Sequence, residues 1–306
     1  MGGPIDGCLP SLRDRPMGAA VSALISIAFH GLAYAMVLYL VSVGLSVTMG
    51  LMGFVNLAHG VFAAAGGYVM IGLMRAYGVP FPLALVAAFI TVAAASSVLE
   101  RLLYRPLYGG DELDQVLMTI GLVFVWAAAA RLVWGPLAQP MQPPRYLAGQ
   151  IEIAGRDFPT YRSFLIAAGA VLVTLLRLGL ERTRFGARLR AAVDNRPMAQ
   201  SVGIDTARLF TLTFALGSGL AALGGALGAE ILAIDPGYAA EHLIYFLVVV
   251  AVGGLGSIRG PFFAALLLGI ADTGFKYLLP EFGAFFIYAL TLAILLWRPQ
   301  GLFGRA

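Results

Sequence analysis

Long apolar runs separated by short polar interruptions dominate the sequence. Residues 19–41, 83–99, 116–134, 163–180, 209–232 and 282–297 each approach the ~20 apolar residues that a helix needs to cross a bilayer. Two further apolar stretches, 41–74 and 243–270, are interrupted inside. The pattern predicts an all-α polytopic membrane protein, a single transmembrane domain over residues 1–306. If each interrupted stretch crosses once, roughly eight spans result and both ends of the chain face outside. If each crosses twice, about ten result and both ends face inside. Arg13, Arg15, Arg298 and Arg305 favour ten, and the shortness of the pieces favours eight. The run at 19–41 is too long for the apolar core of a cleaved leader, so it reads as an uncleaved first helix. His30 within it reads as a packed histidine bonded to a neighbour.

The first interruption, inside GLSVTMGLMGFVNLAHGVFAAAGGYVMIGL at 44–73, has no Asp, Glu, Lys or Arg but holds Asn56, His59 and Gly60. Polar, irregular backbone at membrane depth survives only where protein or a water-filled cavity covers it. Asn56 and His59 therefore either cap broken helix ends or line a solute path. The second interruption, at 253–261, is glycine-rich. Gly253, Gly254, Gly256 and Gly260 there suit close packing and backbone geometry more than ligand contact. Interruptions in both halves point to an inverted repeat, with a translocation path near the repeat interface. The path candidates are Asn56, His59, Gly60, Gly253, Gly254 and Gly256.

The connections are unequal. Residues 100–107, ERLLYRPL, precede Asp111, Glu112 and Asp114 and read as a charged loop that Pro106 keeps from being helical. Residues 135–161 are rich in proline, with a weak strand-like alternation at 150–154, and fall outside by counting spans. Residues 181–208 hold six arginines, among them Arg188 and Arg190, against three acids, and the positive-inside rule makes them cytoplasmic. This loop reads as built. Residues 187–193 favour a helix, Pro197 fits the first turn of a second with Asn195 as its cap, and Gly203 ends it. In 209–232, Gly217, Ala221, Gly225 and Ala229 recur every four residues, a flat stripe for another helix. Asp272 and Lys276 are spaced to pair on one helix face.

Composition narrows the function. The chain has 306 residues, 60% hydrophobic and 12% charged, about half the charge of a soluble domain. Its mean hydropathy is +0.87. One cysteine, Cys8, excludes an internal disulfide and a multi-cysteine metal site; no metal is expected. The net charge of +4 reads as an orientation signal, not as nucleic-acid affinity. GxxxxGK[ST], HExxH and GxSxG are all absent, so neither nucleotide binding through a P-loop nor hydrolysis is expected, and the chain is not read as an enzyme. Intramembrane charge amounts to Asp272 with Lys276, too little for an ion-coupled carrier. The driving force is expected from elsewhere, received at the basic loop.

Five pieces, in order, carry a family resemblance: GLSVTMGLMGFVNLAHGVFAAAGGY, ERLLYRPL, TIGLVFVWAAAARLVWGP, TRFGARLRAAVDNRPMAQSVGI and GGLGSIRGPFFAALLLGI. Together they resemble the LivH-type permease subunit of branched-chain amino acid ABC importers. The Asn-Leu-Ala-His-Gly element and residues 100–106 are closer to LivH than to its LivM-like partner. The resemblance implies a bacterial inner-membrane permease that forms the path with a LivM-like permease in membrane lipid. Two cytoplasmic ABC ATPase subunits would bind the ATP, and a periplasmic binding protein would deliver substrate; the chain itself would carry no cofactor. It also implies that 183–204 docks on an ATPase, through Thr183, Gly186, Arg188, Arg190, Ala191, Asp194, Asn195, Ala199 and Gly203. Urea and short-chain amide importers use similar permeases, and Ala63-Ala64-Ala65 leaves pore size open. The rival from another class is a stand-alone secondary transporter.

Overall fold

A computed structural model describes residues 17–153, 156–254, 256–257 and 259–304. Cys8, Arg13, Arg15, Ala154, Leu255, Ile258 and Arg305 lie outside the described residues. Among the described residues the chain is helical apart from one hairpin. The helices are α1 (Met17–Met52), α2 (His59–Tyr77), α3 (Phe81–Leu99), α4 (Glu112–Trp134), α5 (Thr160–Arg182), α6 (Arg184–Asp194), α7 (Arg196–Ser201), α8 (Thr206–Gly228), α9 (Tyr238–Gly253), α10 (Gly260–Leu278) and α11 (Gly283–Trp297). Strands β1 (Gln150–Ile153) and β2 (Arg156–Pro159) pair antiparallel inside the proline-rich connection.

Among the described residues, seven helices are long and apolar enough to cross a membrane, and α9 and α11 are shorter apolar helices. The total of nine falls between the expected eight and ten. The reason lies in α1, which runs 36 residues without a break. The first interrupted stretch thus begins inside α1, and only its second half, α2, is a helix of its own. At ~1.5 Å per residue α1 is about 54 Å long, well beyond a ~30 Å hydrocarbon layer.

The centre of the bundle is α8, flanked by α1 and α2. Its small-residue stripe works as expected. A Cβ on Gly217 would sit 3.2 Å from the Gly44 carbonyl oxygen, and one on Gly225 would collide with the Ala63 backbone. Gly224 and Gly228 admit Val41 and Val37 of α1. Helix α10 packs on the other side of α1, with Gly31 against Ile270 and Gly269 against Ala35. Such backbone-to-backbone approaches replace the hydrophobic effect as glue where lipid is the solvent.

Contacts fix the sense of each helix. Ser22 and Ser26, near the start of α1, bond Arg156 of the hairpin, and Arg75, near the end of α2, bonds Gln139. His30 accepts from Arg162 at 2.8 Å, the bonded-neighbour role expected of it. At the opposite end, Met52 packs beside α6 and α7, and Leu302 bonds the end of α9. The described chain therefore starts and finishes at opposite ends of the bundle, not at one. The two interrupted segments, α1–α2 and α9–α10, both run away from the hairpin end and then back towards it. They run in the same sense, which departs from the inverted relation expected between them.

Residues 100–107 are also not a loop. A π turn at Glu100–Tyr104 and a 3-10 turn at Arg105–Leu107 continue α3. Glu100 is fully buried, a second buried carboxylate besides Asp272, which pairs with Lys276 as expected at 2.6 Å.

Candidate translocation and coupling sites

After Met52 the chain leaves the helix in the left-handed region at Gly53, φ 65°. Residues 53–56 then run back along the bundle without regular structure, and Leu57 and Ala58 turn the chain into α2. His59, the first residue of α2, bonds the Val41 carbonyl, eleven residues upstream of Met52 on α1. That is a climb of about 16 Å along α1, spanned by the return segment and the His59 side chain together. Helix α2 thus starts at mid-depth of the bundle.

The return segment is held by side chains from elsewhere. Gln115 Oε1 accepts from the Val55 N–H at 2.9 Å, while its own amide donates to the Leu107 carbonyl. Tyr104 donates to Asn56 Oδ1 at 3.2 Å. His59 Nε2 lies 2.9 Å from the Val41 oxygen, so that nitrogen carries the proton and Nδ1 is a bare acceptor. Asn56 and His59 are both fully buried within the chain. Neither caps α2, whose cap residue is Ala58 with no side-chain bond. Gly60 seats against Ala239 at the start of α9, 2.9 Å from an added Cβ to the Ala239 oxygen. Two buried atoms here have no partner, Asn56 Nδ2 and His59 Nδ1.

The second break is built from backbone. Gly253 and Gly260 touch, and a Cβ on Gly253 would lie 2.6 Å from the Gly260 carbonyl carbon. Gly254, φ 95°, is crowded by the backbone of Gly304, and Gly256 also has a positive φ, 77°. Leu302 and Phe303 donate to the carbonyls of Val252 and Gly253. Ser257, two residues before the α10 cap residue Arg259, accepts from the Gly260 N–H at 2.9 Å.

The basic loop is a folded module. Thr183 Oγ1 accepts from the Gly186 N–H at 3.3 Å and caps α6; Asn195 Oδ1 accepts from Met198 at 3.0 Å and caps α7. Gly203, φ 83°, lets the chain turn out of α7. Leu189, Ala192 and Ala199 bury against Leu180, Leu209 and Phe210. Gly186 lies on the Leu180 backbone, whose carbonyl also accepts from Arg190. The outer face presents Arg188, Ala191, Asp194 and Asn195, with Met198 64% and Val202 70% exposed. The module is tied to the second break by Arg259, which donates to Glu181 at 2.8 Å.

Residues 27–295 match the family described as branched-chain amino acid transport system / permease component. The chain belongs to that family. The permease BraD of Pseudomonas aeruginosa is 30% identical over 90% of this chain and 94% of its own length. LivH of Escherichia coli K12 is 28% identical over 90% and 94%. LivM of the same organism is 25% identical over 87% of this chain but only 68% of its own. The permease is thus LivH-like in length as well as in motif. No solved structure matches it.

The clamp residues Gln115 and Tyr104 escape a reading of the sequence. Their one local signal is polarity: Gln115 and Thr119, four apart, face inward from an otherwise apolar helix.

Proposed function

We propose that this permease is the LivH-like subunit of an ABC importer for branched-chain, hydrophobic amino acids in a bacterial inner membrane. It forms the solute path with a LivM-like permease. Two ATPase subunits that bind the ATP dock on α6–α7, and an external binding protein loads the opposite face. The chain itself does no covalent chemistry.

The observation that carries this reading is the α6–α7 module. Its capped helices, apolar underside and outward face of arginines with Met198 and Val202 make a rigid lever rather than a tether. It joins the bundle through Gly186, which seats on the Leu180 backbone at the end of α5, and that same end of α5 is bridged to the second break by Glu181–Arg259. A movement at the module is therefore delivered to α5, α8 and α10 together. The first break supports a path for a zwitterion: amide, imidazole and backbone dipoles at mid-depth, with Asn56 Nδ2 and His59 Nδ1 unpaired and no full charge beside them. Helix α2 starting uncapped at mid-depth adds a positive dipole end. Both residues are sealed in this conformation, so the path opens on them only when the bundle moves.

The test is Arg188→Glu in the complete complex. Arg188 is exposed and makes no bond that holds the fold. Charge reversal leaves the permease folded and abolishes both ATPase co-purification and ATP-driven leucine uptake into vesicles. Uptake at the wild-type rate would sink the docking assignment, and uptake from a proton gradient without ATPases would establish the secondary-transporter reading. Labelled urea and acetamide, run beside leucine, decide the substrate class.

A further inference from the structure

The motif ERLLYRPL plays no part in the docking surface, yet it occupies the junction between the basic module and the first break. Its π turn buries Glu100 and Tyr104 completely and leaves Arg101, Leu102 and Leu103 between them exposed. A π turn is rare and recurs at functional positions.

Glu100 faces α8. Its Oε2 accepts from Thr211 at 2.8 Å, and Arg105 donates both to the carboxylate, at 3.2 Å, and to the Thr211 hydroxyl, at 2.6 Å. A buried carboxylate so enclosed cannot shed its partners without leaving an unpaired charge, which makes the junction all-or-none. The neighbouring residue of α8, Phe210, packs on Tyr108 and carries Arg196 of α7 over its ring at 5.2 Å. Tyr104 faces the other way. Its hydroxyl donates to Asn56, and its ring packs between Phe54 of the break, at 5.1 Å, and Phe214 of α8, at 4.7 Å.

We infer that Glu100 and Tyr104 are positioning residues that make the return segment at 53–58 follow the basic module. Glu100 locks the inner end of α3 to α8, and α8 carries the motion of α7. Tyr104 passes that motion to Asn56. This rests on the reading of the chain as an ATP-driven permease and adds to it the element that converts module movement into opening of the break.

The experiment uses the complete complex in vesicles, with binding protein and labelled leucine, and reads uptake per ATP hydrolysed. That ratio is indifferent to how much complex folds. Wild type must show ATP-driven uptake; if it does not, the functional reading fails before this inference is reached. Tyr104→Phe removes one hydroxyl and Glu100→Gln one charge. Each lowers the ratio about tenfold, the scale of a typical coupling energy, while ATP hydrolysis continues. Asn56→Leu does the same, and the Tyr104→Phe, Asn56→Leu double variant is no worse than either alone, because one bond is shared. If Glu100→Gln fails to assemble, Tyr104→Phe decides. An unchanged ratio in Tyr104→Phe, or losses that multiply in the double variant, would overturn the inference.

Discussion

The two breaks look alike in sequence and are built in opposite ways. The first is suspended by side chains: Gln115 from α4, Tyr104 from the end of α3 and His59 on the Val41 carbonyl. Gly53 has nothing within 4 Å of an added Cβ. The second is backbone pressed on backbone, with Gly253 on Gly260 and Gly254 on Gly304. A segment held by a few directional bonds can be released and recaptured. A segment held by interlocked backbone moves as one piece with what it touches. The first break therefore suits a gate and the second a fulcrum, and the Glu181–Arg259 bridge to the basic module sits at the fulcrum.

The contrast predicts unequal sensitivity to bulk. Gly260→Val drives a branched side chain into the Gly253 backbone, which cannot swing aside. The expected cost is about 3 kcal/mol or more, the upper range of overpacking, seen as loss of folded protein in detergent thermal melts. Gly53→Ala meets no neighbour and pays only for its positive φ, about 1–2 kcal/mol. Equal losses for the two would erase the distinction.

What the sequence shows of this depends on how local the cause is. The caps of α6 and α7, Thr183 and Asn195, lie within three residues of the groups they satisfy, and so the basic module can be read directly. The small-residue stripe of α8 is legible for the same reason, since one helix carries it whole. The clamp on the first break is not: Tyr104 and Gln115 come from 48 and 60 residues away. Residues 100–107 mislead because Pro106 and three charges imitate a loop, whereas Thr211, 111 residues from Glu100, helps to pay for burying the carboxylate. The same-sense course of the two breaks is invisible because apolar composition does not encode direction.

A smaller effect sharpens the comparison from the polar side. Gln115→Leu keeps the volume of the side chain but frees the Val55 N–H and the Leu107 carbonyl. Bonds between membrane helices are worth about 1 kcal/mol, so the fold survives. The amides of residues 53–58 then exchange with deuterium faster, while those of α9 and α10 keep their rates. Acceleration at both breaks would mean that they are one cooperative unit.

The smallest effect is expected at Ser257, the side chain that accepts from the first N–H of α10 at the second break. Ser257→Ala deletes the bond from the Gly260 N–H, and a lost bond of this kind costs about 1 kcal/mol or less. The Ser257 carbonyl still accepts from Ser46, and the Leu302 and Phe303 ladder onto α9 is untouched. Gly260 stays wedged on Gly253 whatever residue 257 carries. Stability should therefore fall slightly and deuterium exchange at the bonded amides of Gly254 and Ser257 should stay slow. Fast exchange there, matching what Gln115→Leu does to residues 53–58, would show that the second break also hangs on a side chain and would remove its standing as a fulcrum.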